Sequence, residues 1–206
     1  MVRHEVLHKV KAAEDKKREV QNVDNLKEDG IGFFKGNVIS YKKWQNSAAK
    51  HHDFKGHENA VTSCKLSPCM HYVLSSSEDR TARLWVLRTG QCIKVYKGHT
   101  KVVTDCDFHK SFRDYLREPT ILTGSGDGTL RLWNTVKNED ATLVTTVKAH
   151  QHGVFRCSFS PDGLTFVSAS EDKSIRLWCF PEGYLLHIYL AHASPVTAVS
   201  FSPTGR

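Results

Sequence analysis

The sequence predicts an all-β fold assembled from a repeated four-stranded unit, and three observations carry that prediction. A Gly-His or Ala-His pair, a hydrophobic run, a Ser-rich stretch, an Asp and a Trp six residues beyond it recur in order. The copies are His57, Asp79 and Trp85; His99, Asp127 and Trp133; and His150, Asp172 and Trp178, with His192 opening a fourth. The four histidines stand 42, 51 and 42 residues apart, a period at which each copy is one supersecondary module and neighbours bury a shared core. Inside each copy, turn formers punctuate short β-rich runs at regular spacing.

Residues 1–30 stand apart from this pattern. They carry seven Lys/Arg and seven Asp/Glu, lack aromatics, and place Val6, Val10 and Ala13 on one helical face. They predict a charged helical extension that stops at Asp29-Gly30. The repeat region spans 31–206. Residues 37–56 read as the back half of a degenerate unit: residues 39–44 parallel 175–178, but the Asp expected near Val38 is missing. Repeat one, 57–98, predicts strands over 61–66, 72–76, 82–86 and 92–96, separated by Ser67-Pro68, Glu78-Asp79-Arg80 and Arg88-Thr89-Gly90. Repeat two (99–149) and repeat three (150–191) follow the same plan, and 192–206 start a fourth. Repeat two holds nine extra residues, six of them in the segment around 110–119.

Six cysteines raise the question of disulfides or zinc. Cys64, Cys106 and Cys157 each fall seven residues after a repeat histidine, and Val199 takes that place in the fourth copy. A slot shared by Cys and Val predicts a buried apolar site holding a reduced thiol. Cys69, Cys92 and Cys179 form no CxxC pair, so no metal or other cofactor is expected. No segment approaches the roughly 18 apolar residues of a membrane span, and the N-terminus is not signal-like, which predicts a cytoplasmic or nuclear protein. The net charge of +7 sits wholly in residues 31–206 and admits acidic partners.

The matching runs are Lys-Gly-His57 with Glu-Asp79-Arg-Thr-Ala-Arg-Leu-Trp85, Lys-Gly-His99 with Gly-Asp127-Gly-Thr-Leu-Arg-Leu-Trp133, and Lys-Ala-His150 with Glu-Asp172-Lys-Ser-Ile-Arg-Leu-Trp178. Together with the Phe-Ser-Pro-Asp-Gly163 and Phe-Ser-Pro-Thr-Gly205 turns, they resemble the WD40 repeat family of β-propellers. The resemblance covers 57–206 well, 37–56 poorly and 1–36 not at all. The Asp that usually follows the Trp is replaced by Val86, Asn134 and Cys179. The fold expected is a WD40-type propeller with three full blades and partial blades at both ends. The abrupt stop at Arg206 reads as a partial chain in preference to a fourth blade completed by residues 31–55. Further blades or self-association would then close the ring.

The resemblance implies a hydrogen-bonded chain in each blade, from the His through a Ser or Thr to the Asp and the Trp indole. The hydroxyl is either four residues before the Asp (Ser75, Thr123, Ser168) or two before it (Ser77, Ser125, Ser170). Such a chain satisfies buried polar groups, and its recurrence in every copy, His192 included, marks it as structural rather than catalytic. Function then falls to exposed positions. The resemblance assigns partner contact to Ala60 and Thr62, Val102 and Thr104, Gly153 and Phe155, and Pro195 and Thr197, with Glu78, Gly126 and Glu171 before the Asp residues. Phe155 is suited to anchor a peptide, and Glu78 and Glu171 to receive its Arg or Lys. Phe112 and Tyr115 give the 110–119 loop a second docking character. The reading is a non-catalytic adaptor that binds a protein or peptide. The alternative is an RNA- or DNA-associated propeller using the basic surface, to which Lys42-Lys43-Trp44 and the 50–55 segment contribute.

Overall fold

The structure, a computed structural model, describes residues 53–110, 120–134 and 142–205. The helix expected over 1–30, most of the degenerate unit 37–56, and Phe112 and Tyr115 lie outside the described residues. Twelve strands form among those described: β1 (Val61–Leu66), β2 (Tyr72–Ser77), β3 (Thr81–Val86), β4 (Cys92–Lys97), β5 (Val103–Phe108), β6 (Thr120–Ser125), β7 (Thr129–Asn134), β8 (Thr142–Lys148), β9 (Val154–Phe159), β10 (Thr165–Ser170), β11 (Ile175–Cys179) and β12 (Leu185–Tyr189). They make three antiparallel meanders, β1–β4, β5–β8 and β9–β12, each strand paired with its sequence neighbours. The first-repeat strands agree with the sequence expectation to within one residue at each end. No helix forms among the described residues, and the three sheets do not close into a ring.

Each meander is one blade, and the blades repeat even their irregularities. A bulge interrupts the pairing of the innermost strand between Val61 and Ser63, between Val103 and Asp105, and at Ala169/Ser170. A second breaks the outer pair beside Trp85, Trp133 and Trp178. Bulges of this kind twist a strand locally, and here the twist is written identically three times. The second strands are buried along most of their length, over 74–77, 121–125 and 166–170. Small residues therefore fill them, such as Thr123-Gly124-Ser125, where a Cβ on Gly124 would stand 3.0 Å from Val154 Cγ1 and 3.3 Å from Cys157 Sγ.

The core is not inside a blade but between blades. Leu74, Ala82, Leu84 and Tyr96 on the trailing face of the first blade meet Cys106, Phe108, Ile121 and Trp133 on the leading face of the second. One step on, Leu122, Leu130, Leu132, Val147 and Ala149 meet Val154, Cys157, Phe159, Phe166 and Trp178. Residues 192–205 continue the series. Val196 is buried, and its N–H reaches the Ser170 carbonyl at 3.0 Å.

This arrangement corrects the expectation for the cysteine slot. Cys106 and Cys157 are buried, but Cys64 is exposed. The slot is dry only where a preceding blade covers it: Cys106 Sγ lies 3.7 Å from the Leu74 carbonyl, and Cys157 packs over Gly124. No blade precedes β1 among the described residues. Burial pushes the thiols of Cys106 and Cys157 well above the ordinary range, so both are inert.

Gly128 illustrates how the seam restricts one blade and not another. It holds φ +80°, the conformation that Arg80 (+67°) and Lys173 (+69°) hold at the matching positions. A Cβ on Gly128 would stand 2.7 Å from the His150 carbonyl oxygen, because Ala149 and His150 donate their N–H groups to the Gly128 carbonyl at 3.1 and 3.0 Å. Gly128→Ala is therefore expected to cost about 2–3 kcal/mol, from left-handed strain plus displaced backbone. Lys173→Gly should change stability by less than about 1 kcal/mol. Urea unfolding midpoints of the two variants check the contrast.

Candidate functional site

The repeated polar chain has one geometry in all three blades. His57 Nδ1 lies 2.7 Å from Asp79 Oδ2, its Nε2 lies 2.7 Å from Ser75 Oγ, and the Trp85 indole donates to the same Oγ at 2.8 Å. In the second blade the distances are 3.0, 2.8 and 2.9 Å through Thr123. In the third they are 2.8, 2.7 and 2.9 Å through Ser168. The directions follow from the donors available. The indole can only donate, so the hydroxyl accepts from it and donates to a neutral imidazole, whose Nδ1–H then donates to the Asp. The other serines act elsewhere in the turn. Ser77, Ser125 and Ser170 accept the N–H of the Asp two residues on, at 3.1, 3.1 and 3.0 Å.

Sequence reasoning missed a fifth member. Thr81, Thr129 and Ser174 each donate a hydroxyl to the Asp at 2.6 Å and sit beside the His Nδ1. Their signal was present, a hydroxyl two residues after every Asp. Burial raises each carboxyl, but the converging donors outweigh it. They hold Asp79 and Asp127 far below the ordinary carboxylate value and bring Asp172 down to about 2. Burial also lowers the pKa of His150, against the opposing pull of Asp172. With every polar atom engaged internally, the chain offers no attacking group. His192 is exposed.

Two proposed contact residues turn inward. The Thr62 hydroxyl donates to the Val103 carbonyl at 2.5 Å, and Thr104 donates to the Val154 carbonyl at 2.7 Å, so both stitch a blade to its successor. Asp105 and Asp107, which the sequence reading passed over, do the same. Asp105 accepts the Cys157 N–H at 3.1 Å and lies 3.4 Å from Arg156, while Asp107 accepts the Phe159 N–H at 2.9 Å and the Ser158 hydroxyl at 3.0 Å. Nothing in the repeat pattern announces them, because the first blade has Ser63 and Lys65 at those places.

Of the remaining described candidates, Phe155 takes the place in its blade that Thr62 and Thr104 hold in theirs. Glu78, Glu171 and Thr197 are exposed and Phe155 is half-buried. The backbone beneath them is tied down: Glu78, Gly126 and Glu171 each donate an N–H to the turn that opens their blade, at 3.0 Å to Ala60, Val102 and Gly153. Gly153 lies close to both Glu171 and Gly126. The Glu171 Oε2 would lie 3.7 Å from a Cβ on Gly153, and the Gly126 Cα would lie 3.3 Å from that same Cβ. Gly126, Gly153 and Glu171 thus form a low backbone floor with one carboxylate beside it, two residues from Phe155. Among the described residues no three His, Cys, Asp or Glu side chains converge as a metal site, and no helix is long and apolar enough to cross a membrane.

A family model described as "WD domain, G-beta repeat" matches residues 49–86, 90–134, 141–179 and 183–206. Three curated relatives illustrate the breadth of similarity. Nuclear distribution protein PAC1 of Arthroderma benhamiae is 30% identical over 171 residues, covering 79% of this chain and 36% of its own length. The guanine nucleotide-binding protein subunit beta of Arabidopsis thaliana is 32% identical over 161 residues, 73% of this chain and 41% of its own. Pre-mRNA-processing factor 19 of Bos taurus is 31% identical over 149 residues, 71% of this chain and 28% of its own. The chain therefore spans well under half the length of these relatives.

Proposed function

The chain belongs to the WD40 repeat family, and on that premise we propose that it serves as a non-catalytic scaffold, an adaptor subunit that displays a protein- or peptide-binding surface inside the cytoplasm or nucleus. The observation that carries the reading is the contrast between pinned backbone and outward side chain at the blade-opening turns. Glu78 and Glu171 hang from N–H groups already committed within their blades, so a partner orders little on binding. Phe155 supplies the apolar anchor, and the carboxylate of Glu171 above the Gly126–Gly153 floor suits an Arg or Lys of the partner. The diversity of the relatives' names, one of them a "subunit", supports a shared platform with different partners rather than a shared reaction.

The test is affinity capture on the immobilised full chain, followed by titration of whatever protein is retained. Phe155→Ala should weaken that partner by at least about tenfold while leaving the unfolding midpoint unchanged. Equal affinity for the variant would remove this surface from the function. The basic charge of +7 keeps nucleic acid as the second reading. Binding to RNA or DNA that falls steeply with salt, and is indifferent to Phe155→Ala, would favour it.

A further inference from the structure

Two seams join the three blades, and each buries an apolar cluster that includes a Trp, Trp133 in the first seam and Trp178 in the second. Each also holds one threonine stitch, from Thr62 to the Val103 carbonyl and from Thr104 to the Val154 carbonyl. The rest of the polar contact differs. Alternate residues of a strand share one face, so a blade can reach its successor from every second position. On β5 and just beyond it these positions hold Asp105, Asp107 and His109. On β1 and just beyond it they hold Ser63, Lys65 and Ser67.

All three residues of the second blade cross to the third. Asp105 accepts the Cys157 N–H at 3.1 Å, and Asp107 accepts the Phe159 N–H at 2.9 Å and the Ser158 hydroxyl at 3.0 Å. His109 Nε2 lies 2.9 Å from the Gly163 carbonyl oxygen, and its ring packs 4.6 Å from that of Phe180. The row thus runs along β9 and into the turn beyond it. The first blade has no counterpart. Lys65 is exposed and offers a neighbouring strand only donors. Ser67 accepts the Tyr72 N–H of its own turn at 3.1 Å. Among the described residues, no hydrogen bond from the side chains of Ser63, Lys65 or Ser67 reaches the second blade.

We propose that the first seam is the one that opens, the first blade parting from the second as a unit while Asp105, Asp107 and His109 keep the second and third joined. Repeated modules are held by nearest-neighbour interfaces, so partial opening begins at the weakest of them. Both seams bury apolar clusters, so the bridging side chains decide the order, and bonds to an ionised carboxylate are the stronger kind. Opening the first seam uncovers Cys106, whose Sγ lies 3.7 Å from the Leu74 carbonyl. It leaves Cys157 packed over Gly124. Each seam therefore contains one buried thiol that becomes reachable only when that seam parts.

Alkylation of the full 206-residue chain with iodoacetamide under native conditions, read thiol by thiol by mass spectrometry, tests this. Each rate is divided by the rate of the same thiol in the urea-unfolded chain. Cys106 should be modified at least about tenfold faster than Cys157, the margin that one or two extra hydrogen bonds across a seam provide. His109→Ser copies Ser67, and Asp107→Asn weakens the middle bridge. Each should raise the Cys157 rate at least about threefold and leave that of Cys106 unchanged. Should Asp107→Asn fail to fold, His109→Ser still decides. Equal rates for the two thiols in the wild type, or a faster Cys157, overturn the proposal. So does a His109→Ser chain in which both thiols accelerate alike, because both then report a single cooperative unfolding.

Discussion

Asp127→Ala is expected to lower the unfolding free energy by about 4 kcal/mol, among the largest losses any single side chain in these blades can produce. Five donors converge on this carboxylate: the Thr129 N–H at 2.9 Å and hydroxyl at 2.6 Å, the Thr100 N–H at 3.0 Å and hydroxyl at 3.5 Å, and His99 Nδ1 at 3.0 Å. Removing it strands the inner members without water, since His99 and Thr123 are buried beneath it. The loss propagates. His99 Nδ1 without its acceptor no longer fixes the tautomer, and Thr123 and the Trp133 indole depend on Nε2. Asp127→Asn keeps an oxygen for Thr129 and should cost roughly half as much, because it loses charge without leaving a hole. Urea unfolding followed by far-ultraviolet circular dichroism reads both variants. A loss for Asp127→Ala below about 1 kcal/mol would mean that the turn relaxes and readmits water.

The legibility of this chain divides along a physical line. Whatever belongs to a single blade could be read from one copy and checked on the next. Strand positions, turns, and the His, Asp and Trp of the polar chain all recur at fixed spacing because the same local physics acts three times. Whatever belongs to a seam could not. Cys64 looked equivalent to Cys106 and Cys157, and differs because no blade covers it among the described residues. Thr62 and Thr104 looked like surface positions, yet their hydroxyls are spent on the carbonyls of the next blade. Asp105 and Asp107 were invisible because a seam contact needs the identity of two blades at once. The choice between Ser75 and Ser77 sits between these cases. Both hydroxyls are engaged, and the fold sends one toward the imidazole and the other toward the Asp79 N–H. Phe155, Glu78 and Glu171 stood out in sequence for the opposite reason, since the repeat does not dictate them.

Acid should weaken the blades in two stages, and the sign of each follows from the shifted groups. His150 has a folded pKa below its ordinary 6.5, so the folded chain resists a proton that the unfolded chain accepts. Its contribution is full above about pH 6.5 and falls as pH drops below that value. The carboxylates act lower. Asp172 titrates near 2 when folded against 3.8 otherwise, and Asp79 and Asp127 are held lower still. Their contribution is complete above about pH 4 and disappears as pH falls through the interval below it, because unfolding then takes up protons. A shallow decline from about pH 6.5 to 4 should therefore give way to a steep one between about pH 4 and 2. Self-repulsion of a chain already at +7 steepens the same limb, so the total slope alone does not isolate the carboxylates. The difference between wild type and Asp127→Asn does. Both carry nearly the same charge in acid, but only the wild type has the depressed carboxyl, so the stability gap between them should shrink from about pH 4 toward pH 2. A gap that stays constant over that range would place the stabilising role of Asp127 in its shape and hydrogen bonding, with its ionisation playing no part.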